Sequence, residues 1–507
     1  MLARTTAATP WGIDARPVQI EVDVRTGLPQ MQIVGLPDAA VRESRERVRA
    51  AIKNCGFDLP PRAVIVNLAP ADIKKEGNHL DLPIALALLA ACGQVPQEVL
   101  DGRLISGELG LDGAIRSIRG GLAIADLGHK LGVREVLLPE SNAGEAAALE
   151  SVTVIGLRSL AETIAHLMGV SPLDGAIPSS CTAERSNSRI DLADVRGQET
   201  AKRALEIAAA GGHNLIYVGP PGSGKTMLAR RLPGILPELS RADSIEVTKI
   251  HSLVAEQPPS GLIRERPFRS PHPGISTAGM VGGGTVPRPG EASLAHAGVL
   301  FLDELPEYRR DTLEALRQPL EGGIIDIVRV RARFRYPAQF ALLAAMNPCK
   351  CGHLGDPRHE CRCSQAEVER YRGRISGPLL DRIDLHVEVP AISLDELRST
   401  PGEPSASVAA RVSRARSIQQ NRFPTGASIA LNAAMSPGEV ESFCTLGTST
   451  RTLLDTAFER LGLSARALDR VLKVGRTIAD LAGSTDIQSG HIAEAIQYRT
   501  LDRRVQT

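Results

Sequence analysis

Short apolar runs alternate with longer helical patterns over residues 1 to about 170. Five runs have the length and apolar character of strands: 18–24, 31–36, 63–69, 135–140 and 152–157. Residues 39–56 instead space their apolar positions as a helix does, and Gly56 is suited to end that helix. The pattern predicts an N-terminal α/β domain over residues 1–170.

The rest of the chain divides into three parts. Residues 171–189 are rich in Ser and Pro and lack apolar periodicity, which predicts a linker. A second α/β unit follows over 190–392, and 393–507 is helical, with residues 466–483 its clearest amphipathic segment. The predicted fold class is α/β with a C-terminal helical domain.

Composition limits the function classes. The 507 residues include 59 basic and 58 acidic side chains, so any site for a polyanion must be local. The first residues lack the apolar core of a signal peptide, and the longest apolar run is shorter than the ~20 residues of a membrane helix. We expect a cytoplasmic protein without a membrane partner. Four scattered cysteines are expected to be reduced: Cys55, Cys92, Cys181 and Cys444.

A glycine-rich loop carries the clearest chemistry. The apolar strand 215–218 runs into Gly-x-x-x-x-Gly-Lys-Thr and then a helical pattern, the context of a phosphate-binding loop. Backbone N–H groups of such a loop converge on phosphates, Lys225 adds a charge, and Thr226 can ligate Mg²⁺. The predicted ATP and Mg²⁺ contacts are Gly219, Pro220, Pro221, Gly222, Ser223, Gly224, Lys225, Thr226 and Asp303.

Further polar residues follow buried strands in a fixed order. Asp303 and Glu304 end the run "AGVLFLDEL", where Asp303 would hold Mg²⁺ through water and Glu304 would polarise the attacking water. Asn347 ends the next strand and is suited to orient that water. Arg382 could reach a neighbouring subunit's γ-phosphate. One helix face of the C-terminal domain presents Arg466, Arg470 and Lys473.

These segments together resemble the Mg-chelatase-like AAA+ family of ComM/YifB competence proteins. The resemblance runs from "DLADVRGQETAKRALEIAAAGGHNLIYVGPPGSGKTMLARRLPGILP" through "AAMNPCKCGHLGDP" and "LLDRIDL" to "KVGRTIADL". It implies a homohexameric ring that hydrolyses ATP between subunits and drives branch migration of DNA recombination junctions. It also implies that Asn347 is sensor 1, Arg382 the arginine finger and Arg466 sensor 2.

The N-terminal domain resembles the proteolytic domain of Lon proteases and the related domain of a recombination protein. The resemblance lies in "KKEGNHLDLPIALALLAA" and in "SGELGLDGAIRSIRGGLAIADLGHKLGVREVLLPESN". Lon-type chemistry needs a serine nucleophile and a lysine base. Their places hold His79 and Ala123. We therefore expect a protease-like fold without peptidase activity.

Four cysteines lie within fifteen residues: Cys349, Cys351, Cys361 and Cys363. Such soft ligands suit a tetrahedral structural Zn²⁺, with His353 and His359 inside the same loop. The C-x-C spacing is tighter than the usual C-x-x-C knuckle. Reduced thiols and a redox disulfide therefore stay open as alternatives.

Arginines alternate along residues 329–335: Arg329, Arg331, Arg333 and Arg335. In this position the family resemblance implies a β-hairpin ahead of sensor 1, with strands 325–329 and 333–343 and a tip at 330–332. A few cations per subunit, repeated around a ring, would grip DNA inside the pore. The alternative is a solvated edge kept charged against aggregation.

Three functions are compatible with these motifs. The first is a DNA motor acting on single-stranded, forked or branched DNA, with recombination proteins as further partners. The second is a chelatase-type ATPase that remodels a protein partner. The third, an ATP-dependent protease, is disfavoured by His79 and Ala123.

Overall fold

The computed structural model describes residues 2–178, 190–255, 259, 261–284, 287–329, 332–398, 400–423, 431–462, 464–499 and 501. Cys181 and most of the predicted linker lie outside these residues. The strands are β1 Leu2–Trp11, β2 Asp14–Arg25, β3 Gln30–Val34, β4 Ala63–Ala69, β5 Arg103–Ile105, β6 Glu108–Leu109, β7 Ile115–Arg116, β8 Glu135–Pro139, β9 Thr153–Leu157, β10 Leu215–Val218, β11 Phe268–Arg269, β12 Val299–Leu302, β13 Ile324–Arg329, β14 Ala332–Pro337, β15 Ala341–Met346 and β16 Leu385–Glu388.

The α-helices are α1 Ala39–Asn54, α2 Asp81–Ala91, α3 Gly121–Leu131, α4 Glu140–Ala147, α5 Leu160–Leu167, α6 Glu199–Gly211, α7 Lys225–Ala229, α8 Leu232–Ile235, α9 Arg241–Ser252, α10 Thr277–Val281, α11 Glu291–Leu294, α12 Arg310–Ala315, α13 Arg317–Gly322, α14 Gln365–Arg372, α15 Gly377–Leu380, α16 Leu394–Arg398, α17 Ser405–Arg422, α18 Pro437–Phe443, α19 Thr448–Leu461, α20 Ala465–Leu481 and α21 Ser489–Gln497.

The N-terminal sheet has seven strands in the order β3-β4-β2-β1-β5-β8-β9. Strands β1 and β2 form an antiparallel pair at its centre, whereas β5, β8 and β9 run parallel. Helix α2 contacts both β1 and β2, and every one of its residues is buried. The apolar run that is too short for a membrane helix is therefore the core helix of this domain. All five predicted strand runs and helix 39–54 are confirmed.

The second sheet has five strands in the order β11-β12-β15-β10-β16, and all of them are parallel. Strands β10 and β12 are buried throughout, as expected for a parallel sheet with helices on both faces. Parallel pairing brings the carboxyl ends of β10, β12 and β15 to one edge of the sheet. The predicted α/β fold class is confirmed.

The predicted arginine hairpin exists, but its second strand is shorter than expected. Strands β13 and β14 pair from Ile324↔Pro337 to Arg329↔Ala332. The prediction extended the second strand to residue 343, whereas the chain turns at 338–340 and then enters the core sheet as β15. Pro337 has no N–H with which to continue the ladder of hydrogen bonds. The N–H of Ala338 donates to the carbonyl of Gly323 at 2.8 Å. Arg331, near the tip, lies outside the described residues.

The C-terminal part is helical, as predicted. Its helix α20 buries an apolar face with the spacing of the sequence pattern, including Val471, Val474 and Ile478. These residues share one core with α6, α17 and the buried faces of β10 and β16. The helical part is thus packed onto the sheet that carries the glycine-rich loop.

The N-terminal domain contacts the domain of the second sheet through the hairpin and through helix α9. The ring of Trp11 lies 4.8 Å from that of Phe334 in the hairpin. Lys249 of α9 forms ion pairs with Asp14 at 3.3 Å and Asp126 at 2.8 Å. Across the described ranges, no helix has the length and apolarity that crossing a bilayer requires.

Candidate nucleotide-binding site

The glycine-rich loop joins the carboxyl end of β10 to the start of α7. Gly222 and Gly224 have φ values of 76° and 89°, which favour glycine. A Cβ on Gly219 would lie 2.1 Å from the carbonyl oxygen of Val389, so no side chain fits there. These three glycines let the loop curl tightly over the sheet edge, where its N–H groups can converge on phosphate.

Lys225 begins helix α7 and points back into the loop. Its Nζ donates to the carbonyl oxygens of Gly219 at 2.7 Å and Pro220 at 2.8 Å, and to Oδ1 of Asn347 at 3.3 Å. Burial lowers the pKa of Lys225 to about 8. An anion in the loop would favour the charged form of this ammonium group.

Two oxygen ligands for a divalent cation meet next to the loop. The hydroxyl of Thr226 donates to Oδ2 of Asp303, at the end of β12, at 2.7 Å. A hydroxyl and a carboxylate this close fit the hard-oxygen preference of Mg²⁺. Glu304 is exposed beside them with a φ of 53°, an uncommon conformation for a residue other than glycine. The predicted residues Lys225, Thr226, Asp303, Glu304 and Asn347 therefore gather at one sheet edge.

The predicted arginines lie at the opposite edge of the same sheet. Arg382 precedes β16, and its backbone carbonyl accepts from Asn214, which precedes β10. Since β10 and β16 are parallel, this edge is separated from the glycine-rich loop by the full length of β10. Four residues of strand span about 13 Å. Arg382 therefore does not join the nucleotide site of its own chain.

The three other cations line the same cleft as Arg382. Arg466 contacts Asp381 at 3.2 Å, and Arg470 contacts Asp384 at 2.9 Å. Lys473 donates to the carbonyl of Met435 at 2.6 Å. The cleft has a volume of about 820 Å³ and is lined by Arg382, Arg466, Arg470 and Lys473 among others.

Arg382 is largely buried and held by two partners. It donates to the carbonyl of Pro378 and pairs with the carboxylate of Glu321 in α13. Burial, followed by the charges of Arg317, Arg466 and Arg470, lowers the pKa of Arg382. Each of the three clustered arginines has a carboxylate partner in this chain, with which a phosphate entering the cleft would compete.

The four clustered cysteines come together in the segment after Asn347. Sγ of Cys349 lies 3.4 Å from that of Cys351 and 3.7 Å from that of Cys361, and the last two are 3.6 Å apart. All four Sγ atoms, including that of Cys363, lie within 4.8 Å of one another. Thiolates bound tetrahedrally at ~2.3 Å would be roughly 3.7 Å apart, so the set fits a thiophilic metal ion.

The two histidines of the segment are not part of this set. Nδ1 of His353 and Nδ1 of His359 lie 3.3 Å and 3.1 Å from the same Asp356 oxygen. They form a second group that could hold a metal ion. With four thiols already available, the cysteine site does not require an imidazole ligand.

In the N-terminal domain the two positions that depart from Lon chemistry are buried. His79 is 6% exposed, and burial lowers its pKa to about 4, so its ring is neutral at ordinary pH. Ala123, in α3, is 1% exposed and has no functional group. Neither side chain supplies the nucleophile or the base of a Lon-type site.

The described hairpin arginines are exposed and partly paired with one acidic residue. Asp326 of β13 contacts Arg333 at 2.6 Å and Arg335 at 3.2 Å from the opposite strand. Arg329 donates to the carbonyl of Gly284. Arg329, Arg333 and Arg335 thus lie on or near one hairpin, whereas Arg331 is outside the described residues.

Glu321 and Asp326 are the carboxylate partners of the predicted arginines, and neither belongs to a sequence motif. Asp326 follows an apolar pair in "GGIIDIV", and cross-strand pairing with Arg335 could have been read from a correct hairpin register. Glu321 gives no such signal, because it is 61 residues from Arg382 in the chain.

Comparison with known proteins gives matches over nearly the whole chain. Family models of the magnesium chelatase subunit ChlI match residues 20–142 and 191–397, and its C-terminal model matches 402–499. The chain is 45% identical to the uncharacterized protein YifB of Escherichia coli, covering 97% of this chain and 96% of YifB. It is 43% identical to the competence protein ComM of Haemophilus influenzae, covering 98% and 97%.

A shorter match concerns a protease. The chain is similar to Lon protease 2 of Bacillus subtilis, with 30% identity over 138 residues, which is 25% of this chain and 24% of that protein. A similarity to Lon proteases over part of the chain was expected from the sequence.

Proposed function

We propose that this chain, which belongs to the magnesium-chelatase-like AAA+ family of YifB and ComM, is an ATP-driven DNA motor. Membership of this family implies an ATPase. The motor would be a homohexameric ring that carries out branch migration on forked, single-stranded or branched recombination intermediates. Homology to a competence protein supports a role in natural transformation.

In this proposal each residue at the glycine-rich edge has one task. The loop 219–226 binds the phosphates of ATP, while Thr226 and Asp303 hold Mg²⁺. Bound Mg²⁺ would neutralise charge on the β- and γ-phosphates. Glu304 would orient and polarise the attacking water, with Asn347 holding that water from the next strand. The exposure of Glu304 beside Asp303 agrees with this task.

The observation that carries the ring proposal is the separation of the two groups within one chain. Lys225 lies at the carboxyl edge of the sheet, and Arg382 lies at the amino edge. Arginines that act on ATP from there must act on the nucleotide of a neighbouring subunit. We therefore assign Arg382 as the arginine finger in trans, and Arg466 as sensor 2 in trans as well.

Mixed rings test the shared site. Arg382→Ala should bind ATP normally and lose about 10³-fold or more in hydrolysis, since related phosphoryl transfers lose this much without their arginine. Glu304→Gln should bind ATP without hydrolysing it. A mixture of the two variants creates some interfaces with both groups intact, so hydrolysis should recover. A mixture that is no more active than either variant alone would contradict shared sites.

The hairpin 324–337 is the proposed DNA contact. Asp326 masks Arg333 and Arg335 in the free chain, so its removal should expose two cations. Asp326→Asn should tighten DNA binding and steepen its salt dependence, and Arg333→Ala/Arg335→Ala should do the reverse. Basal ATP hydrolysis should persist in both. Equal DNA affinities and salt slopes in all three proteins would favour a merely solvated edge.

We also propose that the four cysteines bind Zn²⁺. The Sγ separations of 3.4–3.7 Å suit a tetrahedral thiolate site. Elemental analysis after metal-replete, reducing purification should give one zinc per chain. A value well below one would leave the cysteines as free thiols.

A second candidate is a chelatase-type ATPase that remodels a protein partner, which the ChlI family match favours. The two candidates differ in what stimulates hydrolysis. Forked, four-way or single-stranded DNA should raise the ATPase rate of a DNA motor and leave that of a chelatase-type ATPase unchanged. Peptidase activity is not proposed, because His79 and Ala123 replace the required groups.

A further inference from the structure

The segment between Asn347 and helix α14 lies against the phosphate-binding loop. A Cβ built on Gly352 would lie 2.7 Å from Cδ and 2.9 Å from Cγ of Pro221. The backbone of Gly352 is thus in direct contact with a residue of the loop 219–226. Gly352 lies next to Cys351, one of the four clustered cysteines.

The same segment is also hydrogen-bonded to a residue that lies beside Gly224 of the phosphate-binding loop. Arg358 donates to the carbonyl of Ile392. The side chain of Ile392 lies 3.9 Å from the place of a Cβ on Gly224. The segment therefore contacts the loop directly at Pro221 and is linked to the surroundings of Gly224 through Ile392.

Little regular structure holds this segment in place. Residues 347–364 contain no helix or strand, although all of them are described. A free segment of this length has many conformations, and a cross-link between its ends removes most of them. The four thiols lie together, so a metal ion bound by them would join the start of the segment, at the buried Cys349, to its end, at Cys363. Cys349 is two residues from Asn347, whose Oδ1 accepts from Lys225.

From these contacts we propose that a metal ion bound by the four cysteines positions the ATP site. The ion holds residues 348–363 against Pro221 and fixes the backbone beside Asn347. The cysteines are positioning residues and do not touch nucleotide. This inference rests on the proposed zinc site and ATPase, and adds that hydrolysis depends on the metal.

Replacing the two cysteines that are farther from Asn347 in the chain tests whether ATP hydrolysis depends on the metal, and it leaves the loop 219–226 unchanged. Cys361→Ser/Cys363→Ser should release the metal, measured by elemental analysis. The kcat of this variant for ATP hydrolysis should fall at least about tenfold, since displacement of a catalytic group by ~1 Å lowers a rate by up to about 10²-fold. The Kd for a fluorescent ATP analogue should change less than about threefold, because the loop 219–226 is intact. Loss of metal with unchanged kcat would overturn the proposal.

Two glycines of the same segment distinguish the effect of the contact with Pro221 from the effect of backbone strain. Gly352 and Gly355 have similar φ values, 85° and 78°, so alanine is strained at both positions. A Cβ on Gly355 has no atom within 4 Å, whereas one on Gly352 meets Pro221. Gly352→Ala should lower kcat with the metal retained, and Gly355→Ala should keep both. Equal kcat values in the two variants would overturn the proposal even if the cysteine variant fails to fold.

The outcomes also separate this inference from the function on which it rests. A wild-type chain without ATP hydrolysis would refute the proposed motor. A wild-type chain that hydrolyses ATP but contains no thiophilic metal would refute the zinc site and the dependence with it. A chain that binds the metal and hydrolyses ATP equally well without it would refute only the proposed dependence of hydrolysis on the metal.

Discussion

ATP should bind more weakly as the pH rises above about 8, because the ammonium group of Lys225 must be charged to meet phosphate. Burial lowers the pKa of Lys225 to about 8, and the residue is 8% exposed. Phosphate oxygens favour the charged ammonium, so the pKa of Lys225 is higher when nucleotide is bound. Above pH 8, binding must therefore take up a proton.

The size of the effect follows from the pKa of the free site. The fall from 10.5 to about 8 disfavours the charged form by roughly 3 kcal/mol. If the pKa in the complex is much higher, the Kd for ATP should be about tenfold larger at pH 9 than at pH 7. At pH 8.5 about three quarters of free sites are neutral, so each binding event should take up about 0.8 proton.

Two measurements check this prediction. Titration of a fluorescent ATP analogue between pH 7 and 9.5, with excess Mg²⁺ and constant ionic strength, gives the Kd. Calorimetry in two buffers of different ionisation enthalpy gives the proton uptake. In the control variant Lys225→Arg the guanidinium stays charged, so its Kd should not vary over this range. A wild-type Kd that is constant from pH 7 to 9 would refute the reasoning.

Three further predictions concern the fold around the site. Tyr217→Phe should lower the free energy of unfolding by about 1 kcal/mol in denaturant titrations, because the buried hydroxyl donates to the carbonyl of Ala201 at 2.9 Å; an unchanged midpoint would contradict this. Gly219→Ala should abolish ATP binding because its Cβ would lie 2.1 Å from the Val389 carbonyl oxygen, whereas Gly234→Ala, with open space, should bind normally. Lys249→Ala should loosen the N-terminal domain by removing the ion pairs to Asp14 and Asp126, seen as a separate, earlier calorimetric transition; an unchanged melting profile would argue against this coupling.

Contiguous motifs and periodic patterns were readable from the sequence. The strand 215–218, the glycine-rich loop and α7 are adjacent in the chain, so their local chemistry already predicts the phosphate site. Helix α20 could be predicted because its apolar residues recur with the helical period. The meeting of Asp303 and Asn347 with Lys225 also followed, since parallel strands end at one edge of a sheet.

Strands whose sequence carries no such period were not predicted. Strand β1, "LARTTAATPW", consists largely of Ala and Thr, yet it lies in the centre of the N-terminal sheet. Ala3 and Ala7 of this strand share a core with the buried helix α2, so the requirement for small residues comes from tertiary packing. The break at residues 338–340 was also missed, because it depends on the pairing of β15 with β12 and β10.

The sequence by itself therefore determined the chemical groups of the nucleotide site and the order of its elements, since both depend on neighbouring residues in the chain. Only the tertiary structure decided which groups share a surface. It put Arg382 at the sheet edge opposite Lys225 and beside Glu321, and Gly352 against Pro221. These relations join residues tens to more than a hundred positions apart. They depend on strand direction and backbone packing, which no local pattern of side chains encodes.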